Sequence, residues 1–427
     1  MPGEPDYLPR LIDAELDGLL ADLPAIALEG PKAVGKTATA ERRAASVLAL
    51  DRARTRAHVE ADPEIILNEP TPLLIDEWNL VPAVWDVVRR AVDRDRSPGR
   101  FILAGSALPP EGARIHSGSG RIVRVMLRPM ILPERGVEQP TVSLAGLLAG
   151  GRERIGGRTT VGLADYTREI LLSGFPGIRQ DPPRRIPLTL RSYIDELLDR
   201  DIPDLGVHIR RPQALRAWLT AYAAATATTA SYTSILDAAT PGESDKPAKS
   251  TVGAYRSLME RLWIVDPLPG WIPALNPLKR LSQSAKHHLV DPALAANLLG
   301  ATEASLLRAD REGSGLREGT LLGALFESLV VMTVRVLAQP SMATVSQLRT
   351  SGGEHEVDLI VERPDHRVLG IEVKLGGVTT PGDAKHLHWL GREIGDDLVD
   401  KVIVTTGEGA YRTPDGVAVV PLALLGA

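Results

Sequence analysis

The sequence predicts an α/β protein with a parallel sheet near its N-terminus, a helical middle and a second α/β region at its C-terminus. Apolar runs at 25–29, 72–77 and 100–106 alternate with helical stretches, of which the clearest lies near 80–94. Such alternation is typical of a parallel sheet covered by helices on both faces. Residues 160–265 show a mainly helical pattern. The C-terminal region has predicted helices near 318–338 and 383–394 and predicted strands near 344–349, 355–362, 367–375 and 401–405.

Length and composition limit the classes of protein that the chain can form. Its 427 residues are too many for one hydrophobic core and imply roughly two to four domains. The absence of Cys excludes disulfides, thiolate zinc sites and thiol nucleophiles. The N-terminus does not resemble a signal peptide, and no apolar stretch approaches the roughly 20 residues of a membrane span. We therefore expect a cytoplasmic protein with no membrane association.

The charged residues carry two further indications. A net charge of −5 argues against a protein that coats nucleic acid with its whole surface, so any such contact needs local basic patches. Only nine of the 49 basic residues are Lys. Where Lys occurs in so Arg-rich a chain, we expect a need for its compact ammonium group, and Lys36 and Lys374 are two of the nine.

A glycine-rich loop after the first predicted strand matches the phosphate-binding pattern G-x-x-x-x-G-K-[ST]. Backbone N–H groups of such a loop converge on nucleotide phosphates, and the following helix presents its positive end. Lys36 is then expected to reach the β- and γ-phosphates, and the Thr37 hydroxyl to bind Mg²⁺. The predicted nucleotide-binding residues are Gly30, Pro31, Lys32, Ala33, Val34, Gly35, Lys36, Thr37 and Ala38.

Polar residues that follow the next two predicted strands complete this site. Asp76 and Glu77 end an apolar strand forty residues after the loop lysine; Asp76 suits the Mg²⁺ shell and Glu77 the polarisation of an attacking water. Ser106 ends the third strand, where it is either a sensor of the γ-phosphate or a plain turn serine. Arg121 is a weaker candidate for stabilising transition-state charge, in this subunit or a neighbouring one.

Several segments together resemble one family. The segments IDEWN (75–79), VDRDRSPGRFILAGS (92–106), GRIVRVMLRPM (120–130), SGFPGIR (173–179) and KHHLVDPALAANLLG (286–300) are similar to those of prokaryotic predicted AAA-type ATPases with a C-terminal domain of unknown function. The resemblance implies an ATPase core, a winged-helix-like middle and a C-terminal domain similar to restriction endonucleases. Members usually carry Thr where this chain has Ala104, which leaves the sensor role of Ser106 open.

The resemblance and the pattern together suggest four parts: an AAA-type ATPase core over 1–140, a helical connection over 141–205, a winged-helix-like domain over 206–275 and a restriction-endonuclease-like domain over 276–427. A predicted helix at 251–261 offers Arg256 and Arg261 to DNA. The other interpretation is that this helix only packs between domains.

A second candidate site lies in the C-terminal region, where Asp358 precedes Glu372-Val373-Lys374 by fourteen residues. This spacing resembles the signature of PD-(D/E)xK nucleases. Glu372 and Lys374 face the same side of a strand, so Asp358 and Glu372 could share Mg²⁺ while Lys374 orients an attacking water. Glu327, an acid within an apolar helix, could complete the site. The open alternatives are a chance alternation, a nuclease fold without catalysis, and an active metal nuclease.

The sequence therefore predicts a Mg²⁺-dependent, ATP-hydrolysing protein that acts on DNA or is regulated by it, with a possible nuclease tail and possible homo-oligomers. The alternative is an ATP-switched regulatory or interaction protein whose nuclease-like domain is not catalytic.

Overall fold

Short apolar strands that end at glycine or acidic residues build the first sheet. The computed structural model describes residues 7–107, 118–150, 155–204, 207, 211–240, 249–271, 284–311 and 321–427. The first five strands are β1 (Ala25–Glu29), β2 (Ser46–Ala49), β3 (Leu73–Asp76), β4 (Phe101–Gly105) and β5 (Val123–Met126). They form one parallel sheet in the order β2-β3-β4-β1-β5. Successive side chains of its central strands enter two different apolar clusters, so both faces of the sheet are covered.

The helices of this part are α1 (Ile12–Asp22), α2 (Lys36–Glu41), α3 (Ala53–Ala61) and α4 (Ala83–Arg94). The helix after the glycine loop is short, since α2 ends at Glu41 and β2 begins at Ser46. Strand β2 lies at the sheet edge, and Val47 is 42% exposed. The other strands were predicted from continuous runs of apolar residues that are buried, and the partly exposed β2 has no such buried run.

The middle is helical, as its pattern predicts. Its helices are α5 (Leu144–Ala149), α6 (Leu163–Leu171), α7 (Pro176–Arg179), α8 (Ile186–Glu196), α9 (Ile202–Asp204), α10 (Pro212–Ala224), α11 (Tyr232–Ala239), α12 (Lys249–Arg261), α13 (Pro292–Leu298) and α14 (Glu303–Arg311). A winged helix needs a pair of strands after its helices, but residues 262–269 form only isolated bridges, which join Val265 to Leu289 and Leu268 to Lys286. The winged helix therefore stays a prediction.

The C-terminal part is a mixed seven-stranded sheet in the order β12-β13-β11-β10-β9-β8-β7. Its strands are β7 (Gly270–Trp271), β8 (Thr344–Arg349), β9 (Glu356–Glu362), β10 (Val368–Lys374), β11 (Leu398–Thr405), β12 (Tyr411–Arg412) and β13 (Ala418–Pro421). Helix α15 (Leu321–Ala338) packs against one face and α16 (Lys385–Ile394) against the other. Two short strands, β6 (Val142–Ser143) and β14 (Leu425–Gly426), pair in parallel and join the chain end to the start of the middle.

One helical stretch of the described residues, Leu321–Ser341, is long and apolar enough to cross a membrane. The expectation that no apolar stretch reaches this length is therefore wrong. In this structure 67% of its most apolar 18-residue segment is buried inside the protein. The stretch consists mainly of α15, which packs on the C-terminal sheet as a core helix does.

Candidate functional site

The phosphate-binding loop joins β1 to α2 and has a backbone that only glycine tolerates at its start. Gly30 has a φ of 151°, and a Cβ there would lie 2.3 Å from the carbonyl oxygen of Leu127. Gly35 lies in the left-handed region with a φ of 101°. The buried Lys36 donates hydrogen bonds from Nζ to the carbonyl oxygens of Gly30 (2.9 Å) and Pro31 (2.8 Å). Burial lowers the pKa of Lys36 to about 8, against the opposing effect of the nearby acids.

The first acid of the site faces the loop hydroxyl. The Thr37 hydroxyl donates toward both carboxylate oxygens of Asp76, each at 3.0 Å. Burial raises the pKa of Asp76 to about 6. A hydroxyl and a carboxylate facing each other beside a buried ammonium form a donor set that suits Mg²⁺ bound to a nucleotide phosphate. The predicted metal-binding pair of the core is thus brought together.

The second acid is held by the predicted sensor residue. Glu77 adopts a left-handed conformation with a φ of 50°, directly after β3 ends. Ser106 donates to its carboxylate from Oγ at 2.8 Å and from the backbone N–H at 3.3 Å. This contact is possible because β4 pairs with β3 in parallel, so that the ends of both strands meet at one sheet edge. Ser106 therefore positions Glu77, a contact that the sequence alone did not predict.

The three arginines of segment 120–130 all have acidic partners within this chain. Arg121 donates to Asp93 at 2.8 Å on the surface. Arg124 lies 3.1 Å from Glu29. Arg128 donates to Asp266 at 3.0 Å and 3.3 Å, and thus connects the sheet to the middle of the chain. The proposed role of Arg121 at a nucleotide therefore stays a prediction.

The four residues predicted as a nuclease-like site also lie close together. Asp358 accepts a hydrogen bond from the Val373 backbone N–H at 2.9 Å, which ties β9 to β10. Lys374 donates to Glu372 at 3.1 Å. Burial, followed by the charge of Asp358, raises the pKa of Glu372. Glu327 projects toward the same cluster from α15 and also has a raised pKa, chiefly because it is buried.

Lys286, which was not among the predicted site residues, occupies the middle of this cluster. Its ammonium lies 2.9 Å from Glu327, 2.9 Å from Glu356 and 3.0 Å from Asp358. Burial alone would lower the pKa of Lys286, but the three carboxylates raise it well above its ordinary value. The sequence contains one indication of a role for Lys286, namely that lysine is scarce in this chain. The described residues contain no group of three or more His, Asp or Glu arranged to hold a metal ion, so the metal role of Asp358 and Glu372 stays a prediction.

A parallel sheet with a phosphate-binding loop after one strand and two acids after another defines a P-loop ATPase core. Residues 22–135 match the family of AAA domains, which supports the predicted AAA-type ATPase core for this part of the chain. Two domains of unknown function match the rest, DUF8612 over residues 163–305 and DUF4143 over residues 322–425. Neither match supports or excludes a winged helix or a nuclease-like fold.

Relatives at the level of the whole chain occur in mycobacteria. Uncharacterized proteins of Mycobacterium tuberculosis and Mycobacterium bovis are each 27% identical over 419 residues, which span 96% of this chain and 82% of each relative. Among solved structures, a Walker-type ATPase of Pyrococcus abyssi is 15% identical with a TM-score of 0.41, and the match covers 69% of this chain and 96% of that one. The ORC2 protein of Aeropyrum pernix, solved as ADPNP-ADP complexes, is 13% identical with a TM-score of 0.30 over 73% of this chain and 98% of its own.

Proposed function

We propose that the chain is a Mg²⁺-dependent ATPase that works as a nucleotide-driven switch. The observation that carries this proposal is the placement of Lys36, Thr37, Asp76, Glu77 and Ser106 at one end of the first sheet. Each of them contacts another member of the set or the loop itself. This constellation supplies a cation for phosphates, a pair of oxygen ligands for a metal and an oriented carboxylate for a water molecule.

Each residue of the set has a different role in the proposed hydrolysis. Lys36 exchanges the carbonyl oxygens of Gly30 and Pro31 for phosphate oxygens when nucleotide binds. Thr37 and Asp76 are the residues that would hold Mg²⁺, whose chemistry is to offset phosphate charge. Glu77 orients and polarises the attacking water, and the two hydrogen bonds from Ser106 fix its carboxylate.

Two substitutions separate binding from hydrolysis. Lys36→Ala should weaken ATP binding and reduce turnover by roughly 100-fold, the usual effect of removing a charged group from a reaction centre. Glu77→Gln should retain ATP binding and lose turnover, since only the water-orienting carboxylate changes. Lys385→Ala, an exposed lysine on α16, is the control. ATP turnover that survives in both site variants would contradict the proposal.

We also propose that the switch acts on DNA or responds to it, and that it works in the cytoplasm. The basic side chains of α12, Arg256 and Arg261, are the contacts to test. Turnover should rise with single-stranded, duplex or branched DNA, and the double Ala variant should bind DNA with a smaller salt slope. A turnover independent of DNA would favour a switch that regulates a protein partner. Light scattering with and without ATP would test whether the chain forms homo-oligomers.

For the C-terminal part we favour the non-catalytic interpretation over a metal nuclease, because an ammonium lies among its carboxylates. The nuclease alternative rests on the convergence of Asp358, Glu372 and Lys374. It predicts Mg²⁺- or Mn²⁺-dependent cleavage of DNA that disappears in Lys374→Ala. Equal background cleavage by the wild-type protein and by Lys374→Ala would support the non-catalytic interpretation.

A further inference from the structure

The acidic residues of the C-terminal part surround an ammonium group instead of an open cavity. Lys286 is buried, with a side chain only 2% exposed, and three carboxylates lie within 3.0 Å of its nitrogen. A second ammonium, that of Lys374, pairs with Glu372 beside them. The acidic residues that could ligate a metal are thus already bonded to cations of the same chain.

The backbone of Lys286 is fixed by a two-way bridge. Its N–H donates to the Leu268 carbonyl oxygen, and its carbonyl oxygen accepts from the Leu268 N–H, both at 2.9 Å. The lysine therefore belongs to the middle of the chain, within the region 163–305, while all three of its carboxylate partners lie in the C-terminal region 322–425. The cluster joins two regions that match different families.

The ammonium of Lys286 competes with a divalent metal for the carboxylate oxygens of this cluster. A Mg²⁺ ion needs oxygen ligands at about 2.0–2.1 Å, and the oxygens of Glu327 and Asp358 that it would use already contact the ammonium. A metal ion there would also lie beside a buried ammonium, whose positive charge opposes the binding of a second cation.

We propose that Lys286 is the permanent cation of this cluster: it takes the place of a divalent metal and locks the middle of the chain to the C-terminal sheet. The native chain then has no divalent metal site here, and a neutral side chain at position 286 creates one from Glu327, Glu356 and Asp358. This inference concerns a site apart from the nucleotide loop and does not depend on ATP hydrolysis.

The test is Mn²⁺ binding, measured by electron paramagnetic resonance and calorimetry on nucleotide-free full-length protein. Asp76→Asn is introduced into every sample so that the core contributes no metal site. The chain with Lys286 should bind no Mn²⁺ with a Kd below about 1 mM. Lys286→Met should gain one Mn²⁺ site at least tenfold tighter than this, Lys286→Arg should gain none, and adding Asp358→Asn to Lys286→Met should remove the gained site.

Two results would overturn the proposal. One is a Mn²⁺ site in the protein that retains Lys286, if Asp358→Asn abolishes that site. Metal and ammonium would then occupy the cluster together. The other is a folded Lys286→Met chain that binds no Mn²⁺. If Lys286→Met does not fold, Lys286→Gln replaces it. Mn²⁺ binding by the protein that retains Lys286 tests, without either variant, whether the native cluster holds a metal. A failure of ATP turnover in the Lys36→Ala experiment has no bearing on these outcomes.

Discussion

Asp266 is an acid whose loss should strongly destabilise the fold. It lies between two guanidinium groups, that of Arg128, which follows β5, and that of Arg335 on α15; their side chains are 16% and 9% exposed. Arg335 also donates to the backbone carbonyl oxygens of Asp266 at 3.0 Å and of Pro267 at 2.8 Å. Burial alone would raise the pKa of Asp266, but the two arginines lower it below its ordinary value. Its stabilising effect is therefore fully present at neutral pH, above the ordinary value, and is lost as the pH falls through the lowered one.

Asp266→Asn removes the anion and leaves both arginines largely buried without it. Breaking a buried ion pair from one side costs about 3–5 kcal/mol, which corresponds to a fall in Tm of roughly 6–20 °C for a domain of 150–250 residues. The assay is thermal unfolding at pH 7 followed by calorimetry. Asp365→Asn is the matched control, because Asp365 pairs with Arg363 at 2.7 Å but is 47% exposed; a surface pair should contribute less than about 1 kcal/mol. Equal Tm changes in the two variants would refute the argument from burial.

Three further outcomes are expected. Gly30→Ala should weaken nucleotide binding measured by calorimetry, because its Cβ would lie 2.3 Å from a backbone oxygen, whereas Gly18→Ala, with nothing within 4 Å, should not. Ser106→Ala should lower turnover by roughly 10- to 100-fold at unchanged ATP affinity, since one hydrogen bond to the charged Glu77 is lost; Ser106→Thr should restore it, and an equal loss in both would contradict the positioning role. Burial lowers the pKa of His288 to about 3, so between about pH 3 and pH 6.5 its imidazole is protonated in the unfolded chain and neutral in the folded chain. The free energy of unfolding should then fall by up to about 1.4 kcal/mol per pH unit below about pH 6.5, and His288→Leu should flatten this slope; parallel curves would refute the assignment.

The sequence predicted those features that depend on neighbours along the chain. The glycine loop, the apolar strands and the alternation of Glu372 and Lys374 are local patterns, and the structure contains each of them. Strand β2 was missed because its burial is incomplete and its pairing with β3 is a tertiary contact. Lys286 was missed for a stronger reason: its acidic partners lie 41 and 72 residues away, at Glu327 and Asp358, and no periodicity connects such positions.

A chain of polar contacts leads from the phosphate-binding loop to the C-terminal part. Arg10 donates to the loop carbonyl oxygen of Val34 at 3.1 Å and to the carbonyl oxygen of Arg128 at 2.6 Å. The side chain of Arg128 then contacts Asp266, which in turn contacts Arg335 on α15. Because each step is a buried or half-buried hydrogen bond, these contacts form one polar network between the loop and the C-terminal part.

The lysine cluster meets the same helix at a second point. Glu327 and Arg335 are eight residues apart on α15, about 12 Å along its axis. Glu327 is bound by Lys286, and Arg335 by Asp266. The segments carrying these two partners are joined by backbone hydrogen bonds, from the Asp266 N–H to the His288 carbonyl oxygen and between Leu268 and Lys286. One pair of backbone segments therefore holds α15 at both points and connects the Asp266 contacts to the Lys286 cluster. The nucleotide loop and the C-terminal sheet are thus joined by a continuous set of contacts, none of which requires a metal ion.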